Sequence, residues 1–169
     1  MLATTSRYSP QALRDFAKAF AIAFGGAYVA RGKKTIDSLV SEARKKGHSR
    51  ICVAMPETIE FISVDELENW KWLDEVIVVK SKSFSAKGVF PCREITGSDS
   101  GKLIELLDFE PDEKAELEII AEAGKIKLII SDSDKSEGNS IPANFGPVKF
   151  EMDVSYEMHK GKMQDRAEV

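Results

Sequence analysis

Strands and helices are predicted to alternate through the first 55 residues, and this alternation restricts the fold more than any other feature of the sequence. Three short runs have the composition of strands, at residues 2–5, 27–30 and 51–55. Between them, apolar residues recur at the spacing of amphipathic helices, first at Leu13, Phe16, Ala17, Phe20 and Phe24, then at Ile36, Leu39, Val40 and Ala43. Helices that connect strands pack on the faces of a sheet, so the pattern predicts the α/β class.

Both predicted helices have candidate capping residues at their two ends. Ser9 is a suitable N-cap and Pro10 suits the first helical turn, while Gly25-Gly26 is expected to end the helix in a left-handed conformation. Thr35 is the predicted N-cap of the second helix, and Gly47 is its predicted end. Helices of these lengths suit crossover connections within one sheet.

Beyond residue 55 the pattern is less regular. Further strands are predicted at residues 58–64, 73–80, 126–130 and 148–158, the last with strict alternation of apolar and polar residues. The remaining predictions are a short helix at 65–72, a loop or an edge hairpin at 81–101, either helix or strand at 102–109 and 112–123, an acidic loop at 131–140, and a charged tail from 159. These elements together predict a mixed sheet with packed helices.

Charge is distributed unevenly along the chain. The whole chain has a formal net charge of −4, but residues 1–50 hold ten Lys or Arg and three Asp or Glu, a net +7. The remaining residues hold fourteen Lys or Arg and twenty-five Asp or Glu, a net −11. Such asymmetry indicates a face that binds polyanions, because local potential matters more than net charge in that contact. The alternative is ordinary fluctuation of charge along a chain.

No motif for catalysis, metal binding or nucleotide binding is complete in the sequence. Gly32-Lys33-Lys34-Thr35 lacks the spacing of a phosphate-binding P-loop, and Asp132-Ser133-Asp134 lacks the glycine and glutamate of a calcium loop. The two histidines, His48 and His159, do not have metal-ligand spacing. The sequence therefore predicts no cofactor, no metal, no bound nucleotide and no enzymatic activity.

The predicted location is the cytoplasm. No apolar run approaches the ~20 residues of a membrane span, and no apolar signal region opens the sequence, so no membrane partner is expected. Cys52 and Cys92 form no CxxC pair, and we expect both to be reduced structural thiols.

Two polar segments carry the main functional signal. Thr4-Thr5-Ser6-Arg7 and Arg31-Gly32-Lys33-Lys34 each follow a predicted strand. If those strands are parallel, their carboxyl ends share one edge of the sheet, and Arg7, Arg31 and Lys33 come together there. Hydroxyl, guanidinium and ammonium groups suit phosphate binding, and the positive end of the first helix would add to their field.

Several other residues have two interpretations each. Arg14 and Lys18 are one helical turn apart and form either a phosphate-facing rail or solvated charges, with Lys18 the weaker candidate. Arg44-Lys45-Lys46 either contacts nucleic acid or only interacts with the helix dipole. Trp70 and Trp72 either stack on bases or pack in the core, and core packing is the favoured use of at least one.

The same segments resemble the Brix-domain family of ribosome biogenesis proteins. The resemblance consists of Thr4-Thr5-Ser6-Arg7, then Ser9, Arg14 and Phe16, then Gly26-Ala27 and Arg31-Gly32-Lys33 before a helix. It implies two similar α/β halves, each like the anticodon-binding domain of class IIa aminoacyl-tRNA synthetases. We place the domain at residues 1–160, with halves near 1–80 and 81–160 and a charged tail at 161–169. The short archaeal members are the most similar in extent, so an archaeal cytoplasm is expected.

The resemblance also implies a non-catalytic, RNA-binding role in ribosome biogenesis. The expected partner is ribosomal RNA precursor, with ribosomal proteins or other assembly factors as further candidates. The candidate RNA-binding residues, with cations on phosphates and hydroxyls forming short hydrogen bonds, are Thr5, Ser6, Arg7, Arg14, Arg31, Lys33 and Lys34. One alternative is a protein–protein scaffold whose acidic second half docks basic ribosomal proteins. A small enzyme of phosphate chemistry is a weaker third.

Overall fold

A computed structural model describes residues 1–84, 91–115, 117–130 and 150–158. Within these ranges three helices pack on a mixed sheet of ten strands, which confirms the predicted α/β class. The helices are α1 (Gln11–Ala23), α2 (Ile36–Lys45) and α3 (Ser100–Leu107). The strands are β1 (Leu2–Thr5), β2 (Ala27–Tyr28), β3 (Arg50–Ala54), β4 (Thr58–Val64), β5 (Trp70–Trp72), β6 (Glu75–Phe84), β7 (Cys92–Thr96), β8 (Leu117–Glu122), β9 (Lys125–Ile130) and β10 (Phe150–Met158).

The same strand arrangement occurs at both ends of the sheet. The order is β2-β1-β3-β4-β6-β10-β9-β8-β7, with β5 paired to β4 outside this path. In β1-β3-β4-β6 one parallel pairing is followed by two antiparallel pairings, and β7-β8-β9-β10 repeats that sequence. The two sets meet at the antiparallel pair of β6 and β10. The expected boundary near residue 80 falls inside β6, and the likeness to the synthetase domain remains a prediction.

At the end of the sheet that contains β3, both faces are covered by helices. Along β3, Ile51 and Val53 join the apolar cluster under α2, whereas Cys52 and Ala54 join the cluster under α1. Strands that are covered on both faces are apolar throughout, which explains the continuous apolar run in β3. The cluster under α1 extends to α3 and β10, so one core connects the two ends of the sheet.

Helix α1 packs against the second set of strands through aromatic side chains. The ring of Phe16 lies 5.8 Å from the ring of Phe150 on β10, and the ring of Phe20 lies 6.2 Å from it. All three side chains are at most 2% exposed. Because α1 also packs on β1 and β2, its position fixes the loops at its two ends relative to the whole core.

The helix ends agree with the sequence at three positions of four. Gly25 has φ +65°, and the amides of Gly25 and Gly26 donate to Ile22 and Ala21 in a Schellman motif that ends α1. The hydroxyl of Thr35 accepts from the amide of Ser38 at 3.2 Å and caps α2, and Gly47 has φ +76° after its last turn. Ser9 as N-cap of α1 is wrong, since the cap residue is Pro10 and no side chain caps the helix.

Several predictions for the second part of the chain need correction. Residues 65–72 do not form a helix, because the Asp65 carboxylate accepts from the amides of Leu67 and Asn69 and turns the chain into β5. The range 81–101 does not form one loop or a hairpin where it is described, since β6 extends into it and β7 pairs in parallel with the later β8.

The ranges 102–109 and 112–123 were each predicted to be either helix or strand. The first belongs mainly to α3, and the second contains β8. The predicted strands at 58–64, 73–80 and 126–130 are confirmed, with small shifts of their ends. The long alternating strand is confirmed from Phe150 onward, with Phe150, Met152 and Val154 buried. The expected acidic loop at 131–140 and the tail from 159 lie outside the described residues.

A pair of glycine substitutions tests the packing of α1 against β1. A Cβ atom at Gly26 would lie 2.5 Å from the backbone oxygen of Met1, so Gly26→Ala should lower the free energy of unfolding by roughly 1–3 kcal/mol. Gly101, in the first turn of α3, has open space around it, and Gly101→Ala should raise that free energy by up to about 1 kcal/mol. Urea unfolding measures both, and equal effects would contradict the packing described for Gly26.

Candidate nucleic-acid interface

The loops that follow β1 and β2 lie side by side at one edge of the sheet. The two strands are parallel, with Leu2 opposite Ala27 and Ala3 opposite Tyr28. The hydroxyl of Thr4 donates to the carbonyl of Val29 at 2.8 Å, which ties the second loop to the first strand. The expected juxtaposition of the two polar segments is therefore present.

A cavity of about 570 Å³ opens between these loops. Its lining consists of Thr5, Ser6, Arg7, Tyr8, Ser9, Arg14, Ala30, Arg31, Gly32 and Lys33. Four of these side chains are cations and none is acidic. Six of the seven candidate RNA-binding residues belong to this lining. We call its four cations, Arg7, Arg14, Arg31 and Lys33, the basic patch. Their contact with RNA remains a prediction.

Lys34 is the candidate residue that the structure does not bring to the cavity. Its Nζ lies 3.8 Å from a carboxylate oxygen of Glu42, so its charge is directed to α2. Lys18 also lies outside the lining, with its Nζ 3.8 Å from Asp15 and 5.6 Å from the centre of the Tyr28 ring. Of the two candidates for a phosphate-facing pair on α1, Arg14 and Lys18, only Arg14 lines the cavity.

A tight turn separates two cations of different exposure. The amide of Lys34 donates to the carbonyl of Arg31 at 2.9 Å, and Gly32 has φ +50°, a conformation that glycine adopts without strain. Arg31 is only 3% exposed, whereas Lys33 is exposed. The turn thus directs Arg31 inward and leaves Lys33 toward solvent.

Arg31 lies in an environment that disfavours its own charge. Burial, and to a lesser extent the positive charge of Arg7, lower the pKa of the Arg31 guanidinium from its ordinary value. A guanidinium nevertheless stays protonated at neutral pH. Two neighbouring cations that are partly removed from water favour an anion between them, because it reduces their repulsion.

Arg7 and Arg14 differ in how fully their guanidinium groups are used. The Nε of Arg7 is buried and has no hydrogen-bond partner within the described ranges. Arg14 donates from Nη1 to the carbonyl of Ser9 at 2.5 Å and from Nη2 to Oε1 of Gln11 at 2.9 Å. Arg14 therefore holds the loop before α1 and contributes charge to the cavity, while Arg7 has unused donor capacity.

The hydroxyl residues chiefly shape the first loop. Thr5 is 2% exposed, and the Ser6 amide donates to the carbonyl of Ala54 at 3.1 Å. The Ser9 hydroxyl donates to the carbonyl of Ser6 at 2.6 Å and lies 3.1 Å from the Ser6 hydroxyl. Since Ser9 does not cap α1, the first amides of that helix remain directed toward the loop. The helix has no acidic residue in its first turn, so its positive end adds to the field of the basic patch.

Tyr8 is the residue at this site that sequence reasoning missed. Its side chain is fully exposed at the rim of the cavity, and its backbone has φ +58°. The available signal was an aromatic residue between Arg7 and Ser9 that belongs to no apolar stripe.

The two tryptophans and the basic end of α2 lie away from the basic patch. Trp72 is buried in the cluster under α2, and the indole of Trp70 donates to Asp37 at 2.8 Å. Lys46 lines a second cavity of about 470 Å³ at the opposite edge of the sheet, and its acidic lining residues are Asp108, Glu110 and Asp112. Core packing is thus the role of Trp72.

Two solved archaeal structures have the same architecture over nearly their whole length. A probable ribosomal biogenesis protein from Aeropyrum pernix K1 is similar with a TM-score of 0.64 at 18% identity, over 96% of this chain and 97% of its own. Mil, an archaeal Imp4-like protein, is similar with a TM-score of 0.62 at 22% identity, over 94% and 99%. The chain has the Brix-domain fold. No protein-family model matches the chain, and no curated protein matches its sequence.

Two kinds of feature are absent from the described part of this Brix-domain fold. It contains no group of three or more His, Cys, Asp or Glu side chains placed to hold a metal ion. None of its helices combines the length and the apolar character that crossing a bilayer requires.

Inorganic phosphate tests whether the basic patch accepts an anion. At constant ionic strength, phosphate should stabilise the protein by about 1.4 kcal/mol at ten times its dissociation constant. Arg7→Gln should reduce this gain, because it removes one of the two charges that would hold the anion. Thermal unfolding with and without phosphate gives the comparison. The general salting effect of phosphate is shared by both proteins, so identical shifts would show that no anion binds between Arg7 and Arg31.

Proposed function

We propose that this protein is a non-catalytic ribosome biogenesis factor that binds ribosomal RNA precursor during subunit assembly. The observation that carries the proposal is the basic patch, which gathers four cations and no acidic side chain around one cavity. The fold adds support, because one protein with the same architecture is described as a probable ribosomal biogenesis protein. The proposed setting is an archaeal cytoplasm.

The roles of the cations follow from their exposure. Lys33 is exposed and adapts to a backbone phosphate as a point charge, whereas Arg7 and the buried Arg31 form a preorganised pair of guanidinium groups for one phosphate. Arg14 keeps the loop in place through the carbonyl of Ser9. Lys34 takes part through long-range attraction, since its ammonium group pairs with Glu42.

The charge distribution supports a single contact surface. Residues 51–169 carry a net −11, so most of the remaining surface repels a polyanion. RNA that approaches the protein is therefore steered to the positive edge. The proposed partners are ribosomal RNA precursor and, through other surfaces, ribosomal proteins or assembly factors.

The cysteines support the absence of covalent catalysis in this proposal. Burial raises the pKa of both Cys52 and Cys92 to about 12. A thiol that stays protonated is a poor nucleophile, so both side chains serve as small apolar core residues.

We predict no turnover of ATP or GTP. The Arg31-Gly32-Lys33-Lys34 turn is too short to surround two phosphates with backbone amides, as a P-loop does. Neither nucleotide should be hydrolysed, and magnesium should not increase any stabilisation by them, as measured by phosphate release and thermal unfolding. Saturable, magnesium-dependent nucleotide binding that is lost in Lys33→Ala would instead favour a phosphate-chemistry enzyme.

The salt dependence of RNA binding tests the basic patch directly. If the Arg7–Arg31 pair neutralises one phosphate and Lys33 a second, the slope of log affinity against log salt should be about −1.4, at roughly −0.7 per phosphate of single-stranded RNA. Lys33→Ala should flatten the slope by about 0.7 and weaken binding to all sequences alike. Fluorescence anisotropy with a labelled single-stranded RNA at several salt concentrations provides these slopes.

Lys71→Ala is the matched control for charge. Lys71 is exposed on β5, opposite Ser63 near the end of β4, and therefore lies toward the edge of the sheet opposite the basic patch. This substitution removes the same charge and should leave the slope unchanged. If both variants behave alike, or if affinity barely responds to salt, the basic patch does not contact RNA. The scaffold function, with a basic ribosomal protein as partner, would then be favoured.

A further inference from the structure

Tyr8 is exposed in a way that packing does not explain. Its side chain is fully solvent-exposed, and it is the one exposed aromatic side chain among the residues whose burial the structure describes. Its φ of +58° is a left-handed conformation that costs a residue with a Cβ atom free energy relative to glycine. An apolar ring in water and a strained backbone are both unfavourable in the isolated protein, which suggests that the ring has a use in a complex.

The backbone on both sides of Tyr8 is held in place. Before it, the amide of Ser6 donates to Ala54 on β3, and after it the carbonyl of Ser9 accepts from the guanidinium of Arg14. The hydroxyl of Ser9 also closes the loop by donating to the carbonyl of Ser6. The ring is therefore carried on a fixed loop, and its use in binding costs little conformational entropy.

The ring stands next to the cations that the proposed function assigns to phosphate. Tyr8 lines the same cavity as Arg7 and Arg31, and it directly follows Arg7 in the chain. In a single strand, the base of a nucleotide projects away from its phosphate and is available to an aromatic surface. In a duplex the bases are stacked on each other, and the ring would find no exposed base face.

We propose that Tyr8 is a stacking platform for an unpaired base of single-stranded RNA whose phosphate lies on the basic patch. This inference rests on the proposed function and specifies its ligand as a single strand or an unpaired segment. The stacking contact is tolerant of base identity, because every base has an aromatic face. Phosphates provide the salt-dependent part of the affinity, and Tyr8 provides a part that depends on the presence of bases.

The test uses two substitutions at Tyr8 and two ligands of equal charge. Tyr8→Asn removes the ring but keeps a residue that tolerates the left-handed conformation, and Tyr8→Phe keeps the ring without its hydroxyl. One ligand is a single-stranded RNA of about twelve nucleotides, within the site sizes common for such binders. The other is a ribose-phosphate oligomer of the same length without bases. Anisotropy titrations of the full chain give the dissociation constants.

The expected result is a loss that requires both the ring and the bases. Tyr8→Asn should weaken binding of the RNA by roughly 5- to 150-fold, the range for one stacked base. The same variant should bind the oligomer without bases as the unsubstituted protein does, and Tyr8→Phe should bind both ligands normally. Leu67→Asn removes an 82% exposed apolar side chain near the opposite edge and should change neither affinity. The urea midpoint of Tyr8→Asn should be no lower than that of the unsubstituted protein, since the ring makes no packing contact and asparagine tolerates the left-handed conformation.

Each contrary result has a distinct meaning. If the protein binds RNA in a salt-dependent way but Tyr8→Asn binds it normally, the stacking platform is refuted and the proposed RNA-binding function stands. Equal losses for both ligands would also refute stacking, because the effect would then be one of loop position. If the unsubstituted protein binds neither ligand, the proposed function and this inference both fail.

Discussion

Parallel pairing of β1 with both β2 and β3 determines where this protein can present its charges. Loops that follow parallel strands emerge at the same edge of a sheet, so segments 24 residues apart meet around one cavity. An antiparallel partner in place of β2 would have put Arg31 and Lys33 at the far edge. The Schellman motif at Gly25 and Gly26 supports the pairing, because it turns the chain directly from α1 into β2.

Packing of α1 connects this edge to the core of the whole sheet. Phe16 and Phe20 contact Phe150 on β10, which belongs to the second set of strands, while the amino end of the same helix borders the cavity. The second set lacks a helix equivalent to α2 in the described ranges, and alternate residues of β10 there are charged or polar. The two sets of strands thus share an arrangement but differ in the helices that cover them, and the basic patch lies at the set that is covered by helices on both faces.

Short-range sequence patterns predicted much of this fold. The elements that were missed depend on pairing or turns that such patterns do not show. The stripes of α1 and α2 and the alternation of β10 are short-range signals, and all three are confirmed. The strand β7 was missed because its partner β8 follows only after α3, and β5 was missed because the Asp65 carboxylate imposes a turn that periodicity does not show. At the site, parallel strand ends predicted the meeting of Arg7, Arg31 and Lys33. Sequence alone gave no means of telling that Gly32 would direct Arg31 inward, or that the ring of Tyr8 would be exposed.

Several energetically unfavourable features of the molecule coincide at this one edge. Arg31 is buried beside Arg7 with a lowered pKa, Tyr8 combines an exposed ring with a left-handed backbone, and α1 begins without a side-chain cap. Strain of the Tyr8 type alone costs on the order of 1–3 kcal/mol, which is a sizeable fraction of a small protein's stability. The burial of the two apolar clusters supplies stability that offsets these costs. A bound anion would reduce the repulsion between the guanidinium groups and meet the positive end of α1, and an aromatic base would cover the ring of Tyr8. A single-stranded nucleic acid supplies both chemical groups, phosphate and exposed base, along one chain.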